Sequence, residues 1–282
     1  MEIFSEIKPL KARLSELRIQ GKSIGFVPTM GALHPGHISL IERSANENDV
    51  TVCSIFVNPT QFNNPNDLLK YPRTPEIDLN LLQSNQCDIV FLPENEEMYP
   101  KDKEFTKYHF GDLENVMEGK FRPGHFKGVA VVVNRFFEIV QPHKAYFGLK
   151  DFQQLAIVKD LVKQTQSKIE IIECPIIRES DGLAMSSRNV GLSVDQRQAA
   201  PFIYNTLLQA KTKASLMTVE ELKDWVVSQI NQNALMKIEY FEVVSPITLL
   251  PVDDKNKHEG AIGCIALWMD DIRLIDNIIL FL

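Results

Sequence analysis

Through the first two thirds of the chain, short β-branched or aromatic runs alternate with longer helical patterns, and this rhythm restricts the fold more than any other feature. Parallel strands need long crossovers, so the alternation predicts βαβ units and a parallel sheet. Strands are expected at Ser23 to Val27, Val50 to Val57, Asp88 to Leu92, Ala145 to Gly148 and Ile169 to Cys174. Their apolar runs are nearly continuous, as helices on both sheet faces would require. Helices are expected in the amphipathic opening segment and at His37 to Glu47, Glu76 to Ser84, Gly128 to Val140 and Asp151 to Thr165. The pattern is doubly wound.

From about Asp195 the rhythm changes. Helical stretches at Asp195 to Ser215 and Val219 to Gln232 precede strands at Ile238 to Val244, Ala261 to Trp268 and Ile272 to Leu280. Helices followed by consecutive strands predict a small α+β domain with an antiparallel sheet. The fold class is therefore α/β, a Rossmann-like doubly wound parallel sheet over residues 1–177 with a smaller C-terminal α+β domain over 178–282. A length of 282 residues suits two domains at roughly 150 residues each.

A formal net charge of −7 gives no overall electrostatic footprint for a nucleic-acid backbone or an anionic membrane, so neither is expected as a partner. Any bound anion must be held by a local site. Cys53, Cys87, Cys174 and Cys264 form no Cys-x-x-Cys pair and read as buried free thiols of a reducing compartment. Glu2 and Glu6 stand where a secretory signal would want positive charge. The apolar runs Val129 to Val133 and Ile278 to Leu282 are far shorter than the roughly 18 residues of a membrane span. A cytoplasmic location is expected.

The first strand runs directly into Pro28-Thr29-Met30-Gly31-Ala32-Leu33-His34-Pro35-Gly36-His37, and an apolar helical period begins at Ile38. Strand, glycine turn and helix make the phosphate-site geometry of α/β folds. Pro35 suits the first helical position, which leaves Gly36, His37 and Ile38 offering N–H groups at the positive helix end. Two imidazoles three residues apart reach the same place. On their own they could equally be surface polar residues, a capping pair, or two ligands of a metal for which no third ligand stands at a telling spacing. Asn58 and Gln61 end the second strand, where α/β ligands bind, although an Asn-Pro turn explains them as well. Lys150 and Asp151 follow the fourth strand, and an aspartate at a helix start is commonly a cap. Arg122 to His125 and Tyr71 to Thr74 are each either a solvated loop or a lid.

The His-Pro-Gly-His turn resembles the His-Ile-Gly-His signature of the nucleotidyltransferase and class I aminoacyl-tRNA synthetase superfamily. Six blocks, Pro28 to His37, Phe56 to Phe62, Tyr71 to Thr74, Arg122 to Phe126, Tyr146 to Gln154, and Arg178 to Asn189, are similar in order and spacing to the pantothenate synthetase family. The resemblance is dense to the junction and weak over the last ninety or so residues. It implies ATP-dependent condensation of pantoate with β-alanine through a pantoyl adenylate, with magnesium as cofactor of ATP and a homodimeric assembly. It further implies an ATP site at Met30, Gly31, Ala32, Leu33, His34, Pro35, Gly36, His37, Gly148, Leu149, Lys150, Asp151, Ile177, Met185, Ser186, Ser187 and Arg188. Within it His37, His34, Lys150, Ser187 and Arg188 would be catalytic, and no residue is assigned to a protein-held metal. Gln61, Gln154 and Asn58 would hold pantoate. Met185-Ser186-Ser187-Arg188 departs from the superfamily's Lys-Met-Ser-Lys-Ser in lacking the leading lysine, so Arg188 and Lys150 would supply the positive charge. Two other readings compete: a nucleotidyltransferase adenylating a different small acceptor, and an RNA-binding relative of the synthetases.

Overall fold

The computed structural model describes residues 1–254 and 259–281, so Leu282, the end of the last apolar run, lies outside the described residues. Six parallel strands, β1 (Glu2–Phe4), β2 (Ile24–Thr29), β3 (Val50–Ile55), β4 (Ile89–Phe91), β5 (Lys144–Gly148) and β6 (Glu170–Cys174), form one sheet in the order β1-β4-β3-β2-β5-β6. The chain builds outward from β2 in both directions, which is the doubly wound arrangement expected. Every residue of β3 and β4 is buried, in keeping with a sheet covered on both faces.

Strand alternation sorts the core. Val27, Cys53, Val90, Tyr146 and Ile172 pack with Leu40 and Ile41 of the helix Pro35–Glu47 and with Leu82 of the helix Pro75–Ser84. The neighbouring residues Phe26 and Phe91 face the other way, onto Phe136 of the helix His125–Val140, with ring centroids 5.6 and 6.3 Å apart. β1 was not expected. Its three residues are exposed or half-buried, and only the ladder to β4 makes them a strand. The amphipathic period of the opening segment belongs to the helix that follows, Ile7–Ile19.

Three antiparallel strands, β7 (Lys237–Val244), β8 (Ala261–Met269) and β9 (Ile272–Phe281), form a second sheet with its own core. The helical stretch expected at Asp195 to Ser215 is two helices, Val194–Ala199 and Phe202–Lys213, because Pro201 cannot continue the first. By contacts the chain forms two compact units, one of residues 1–111, 122–149 and 154–175 and the other of residues 112–121, 150–153 and 176–282. All four cysteines are buried free thiols, and burial pushes the Cys87 thiol up to about 12. No helix among the described residues is long and apolar enough to cross a membrane.

On the rim of the first unit, Glu47 accepts from Arg43 at 3.0 Å, Lys144 at 3.1 Å and the Tyr146 hydroxyl at 3.0 Å. Arg43, then Lys144 and Tyr146, hold its carboxyl at about 2, below the ordinary 4.5. A depressed carboxylate stabilises the fold above its unfolded value, and that contribution is lost as pH falls through the folded one. The melting temperature of the wild type should therefore fall between about pH 4.5 and pH 2. Glu47→Gln should flatten that fall; an unchanged slope in calorimetry at stepped pH would remove Glu47 from the acid response.

Candidate active site

The end of β2 carries a tightly held turn. Gly31 and Ala32 both have positive φ, +78° and +50°, a conformation that costs an alanine strain. The buried carboxylate of Asp78, on the helix Pro75–Ser84, accepts from the Ala32 amide at 2.9 Å, the Leu33 amide at 2.8 Å and the Thr74 hydroxyl at 3.2 Å. Thr29 ties the other side, accepting from the Gly31 amide and donating to the Ser54 carbonyl. The chain then enters the helix Pro35–Glu47 with Pro35 in its first turn and His34 as the extended N-cap.

Both imidazoles are used as caps. His34 Nδ1 accepts from the Gly36 amide at 3.1 Å, and His37 Nδ1 accepts from the His34 amide at 3.3 Å, the reciprocal pattern of a capping box. The ring centroids are 4.0 Å apart. A ring nitrogen that accepts carries no proton, so each ring carries its hydrogen on Nε2 and presents a donor there. Capping and anion binding were competing readings of these histidines; here the capping contacts set the tautomer that anion binding needs. The same tautomer opposes a metal at Nε2, which would require the lone pair there.

Asn58, which is 1% exposed, ends the strand β3 region as the centre of a closed network. Its Oδ1 accepts from the Tyr99 hydroxyl at 2.7 Å, the Thr60 hydroxyl at 2.9 Å and the Thr60 amide at 3.3 Å. Its Nδ2 donates to Gln61 Oε1 at 3.0 Å and to the Gly128 carbonyl at 3.3 Å. Asn58 thus orients Gln61. The Gln61 Nε2 faces Met30 Sδ at 2.9 Å, and thioether sulfur is a weak acceptor that a ligand oxygen can replace.

The backbone of Gln61 is held as firmly. Arg122 Nη1 lies 3.2 Å from His125 Nε2 and can only donate, so the His125 proton sits on Nδ1 and is donated to the Gln61 carbonyl at 2.8 Å. Gly128 lets the helix His125–Val140 lie directly on this turn: a Cβ there would meet the Thr60 carbonyl and lie 2.7 Å from Gln61 Cα. The Arg122 to His125 segment, read as a loop or a lid, is thereby part of the scaffold under Gln61. Gln154 lies half-buried in the first turn of the helix Phe152–Gln164, whereas its neighbour Gln153 is buried and spends its amide on the Leu113 and Val116 carbonyls and the Glu118 amide.

In the second unit, Lys150 and Asp151 follow directly on β5, Gly148 and Leu149, with Lys150 Nζ 3.8 Å from the half-exposed Asp151 carboxylate. The segment from Arg178 to Asn189 is a tied hairpin. Arg178 bridges Ala184, the Met185 amide donates to the Ile177 carbonyl at 3.0 Å, and Gly182 turns at φ +94° against the Tyr204 ring. Ser186 caps a short turn by accepting from the Arg188 amide at 3.2 Å, leaving Ser187 buried and Arg188 half-buried. This unit therefore groups Lys150, Asp151, Ile177, Met185, Ser186, Ser187 and Arg188, while residues Met30 to His37, Asn58, Gln61 and Gln154 belong to the first.

The Pantoate-beta-alanine ligase family model matches residues 2–279. The chain belongs to the pantoate-beta-alanine ligase family. Pantothenate synthetase from Bacteroides fragilis strain YCH46 is 51% identical over 278 residues, covering 99% of this chain and 98% of the relative. The crystal structure of pantothenate synthetase from Thermus thermophilus superposes with a TM-score of 0.93 at 41% identity, covering 100% of both chains. A Francisella tularensis pantoate-beta-alanine ligase, solved in complex with beta-gamma ATP and beta-alanine, has a TM-score of 0.83 at 37% identity, covering 99% of this chain and 98% of that one. The α/β fold expected from the alternation of strands and helices, and the ligase class expected from the six blocks, are those of this family.

Asp78, Tyr99, His125 and Gly128 escaped the sequence as supports of the site. An aspartate four residues after Thr74 reads as a first-turn acid, and nothing local says that it caps a turn 46 residues away. Asp78→Ala would orphan two amides, each costing about 1 to 3 kcal/mol. Urea unfolding should show a loss in that range or above; a loss under about 1 kcal/mol would mean that the turn is held by other contacts.

Proposed function

We propose that this chain condenses pantoate with β-alanine in two steps, the pantoate carboxylate first attacking the α-phosphorus of ATP to give pantoyl adenylate and pyrophosphate. The amine of β-alanine then attacks the acyl carbon and AMP leaves. The observation that carries this reading, beside the family, is the turn in which His34 and His37 are locked as Nε2 donors at a helix N-terminus. A carboxylate is already nucleophilic at neutral pH, so the protein's work is alignment and stabilisation of phosphate charge. His34, His37, Lys150, Ser187 and Arg188 are the donors assigned to that charge, and Met30 to His37, Gly148 to Asp151, Ile177 and Met185 to Arg188 are the residues assigned to ATP. Gln61 and Gln154 are assigned to pantoate, and Asn58 acts through Gln61, whose Oε1 it holds. Family membership favours pantoate over a different small acceptor.

Among the described residues, no group of three or more His, Cys, Asp or Glu could hold a metal by itself. The half-exposed Asp151 carboxylate beside Lys150 is a hard oxygen donor of the kind magnesium takes together with substrate phosphates. Magnesium bound with ATP would neutralise phosphate charge there. We further infer a cytoplasmic homodimer acting on small molecules, without nucleic-acid or membrane partners, on the strength of the family resemblance and the acidic net charge. Sedimentation reads the oligomeric state.

Radiolabelled pyrophosphate should exchange into ATP when pantoate is present and β-alanine absent. Exchange that strictly requires β-alanine would exclude the adenylate. His37→Ala should slow this exchange by roughly 100- to 1000-fold with the fold intact. Activity should need magnesium and survive a zinc-selective chelator; bound zinc that disappears with activity in the His37 variant would restore the metal reading. Gln61→Ala and Gln154→Ala should each raise the KM for pantoate with little change for ATP, by about 0.5 to 1.5 kcal/mol per hydrogen bond. Unaltered pantoate kinetics in both would return the two glutamines to structural roles.

A further inference from the structure

Two consecutive residues of β9 hold the two cationic arms of the second unit. Asp276, 5% exposed, grips Arg178 through both oxygens at 2.6 and 3.0 Å. Arg178 in turn donates to the Gly182 carbonyl at 3.2 Å and stacks 3.6 Å over the Tyr204 ring, so it sets the base of the hairpin that carries Met185 to Arg188. The next residue, Asn277, 8% exposed, donates from Nδ2 to the Lys150 carbonyl at 3.0 Å. Its amide donates to Asp276 Oδ1 at 2.8 Å, locking the pair together. Both residues stand midway along the ladder with β8, opposite Ile265 and Cys264, on the strand that borders the three-stranded sheet.

An ordinary antiparallel core would place apolar side chains at such positions. A buried ion pair is weak as a stabiliser, because desolvation offsets most of the attraction, and fixing a register is its best-attested use. Burial pushes the Asp276 carboxyl up while Arg178, and behind it Lys150, pull it down, so the charges of both arms are felt at this one carboxylate. The hydrogen bond to Lys150 is made to its backbone and leaves the ammonium for other work.

We propose that Asp276 and Asn277 are positioning residues that set Lys150 and the Met185 to Arg188 hairpin at a fixed separation, and so control adenylate formation specifically. The inference rests on the assignment of Lys150 and Arg188 to the ATP phosphates. Neither β9 residue touches substrate in this account. Their effect should therefore appear in the phosphate step and not in the later attack on the acyl carbon, where no pyrophosphate is present.

The test uses Asp276→Asn, Asn277→Ala and, as a control, Lys150→Ala in the full chain, each checked by calorimetry. Pyrophosphate exchange reports adenylate formation, and a single turnover of supplied pantoyl adenylate with β-alanine reports the second step alone. Both β9 variants should lower the kcat of exchange by roughly 10- to 100-fold, the usual consequence of a misplaced group, with the second step unchanged. Asn277→Ala should add little in a Lys150→Ala background, because its hydrogen bond acts through that residue. Equal losses in both steps, or full additivity with Lys150→Ala, would overturn the positioning role and leave a merely structural one. Should Asp276→Asn fail to fold, Asn277→Ala decides by the same criteria. Exchange that collapses with Lys150→Ala but is untouched by Asn277→Ala overturns the positioning role alone. Exchange untouched by Lys150→Ala overturns the phosphate assignment itself and this inference with it.

Discussion

A single buried carboxylate, Asp78, makes the turn at the end of β2 possible. Two successive residues with positive φ would not persist there without a partner for the amides they expose, and Asp78 accepts both the Ala32 and Leu33 amides. With those satisfied, the chain can enter the helix Pro35–Glu47 abruptly, and His34 and His37 fall one turn apart at its start. Their capping contacts then assign the ring protons. Backbone strain, a distant acid and an imidazole tautomer thus form one causal sequence, each step depending on the one before.

A comparable economy governs the Asn58 turn. Amide side chains are versatile because each end bonds differently, and Asn58 uses every position it has to orient Gln61. Asn58 therefore has no amide position left that could take a further partner without breaking that network. Close approach of two backbones at Gly128 and a histidine whose tautomer is set by Arg122 complete the support. Rigid supports of this kind are what hold a binding amide in a productive geometry.

In the second unit the corresponding constraints are ionic. Besides the Asp276–Arg178 pair, the buried Glu118 accepts from Arg273 at 2.6 and 2.8 Å and from the Tyr240 hydroxyl at 2.7 Å, while Glu239 takes the other side of Arg273. This ties the short helix Met117–Phe121 to the three-stranded sheet, and Gln153 is clamped against the same segment. Buried charge is costly unless every lone pair is used. Here the partners come from segments far apart in the chain, so the network also records how the unit closes.

Local chemistry made much of this protein legible in advance. The alternation of β-branched runs with helical periods determined the parallel sheet, because burial on both faces demands continuous apolar strands. Pro35 and the two histidines determined where a helix starts and what it offers an anion. The six short blocks determined the family. Tertiary structure alone decided the rest. β1 is a strand only because β4 pairs with it. Helix periodicity could not reveal that Asp78 caps a turn in another element, that Asn58 serves Gln61 and not solvent, or that Gln153 is clamped against the Glu118 segment. Nor could it pick Asp276 and Asn277 out of an apolar strand. Propensity and period are set by neighbours in sequence, whereas the partner of a buried polar group is set by whichever segment the fold brings within hydrogen-bonding distance.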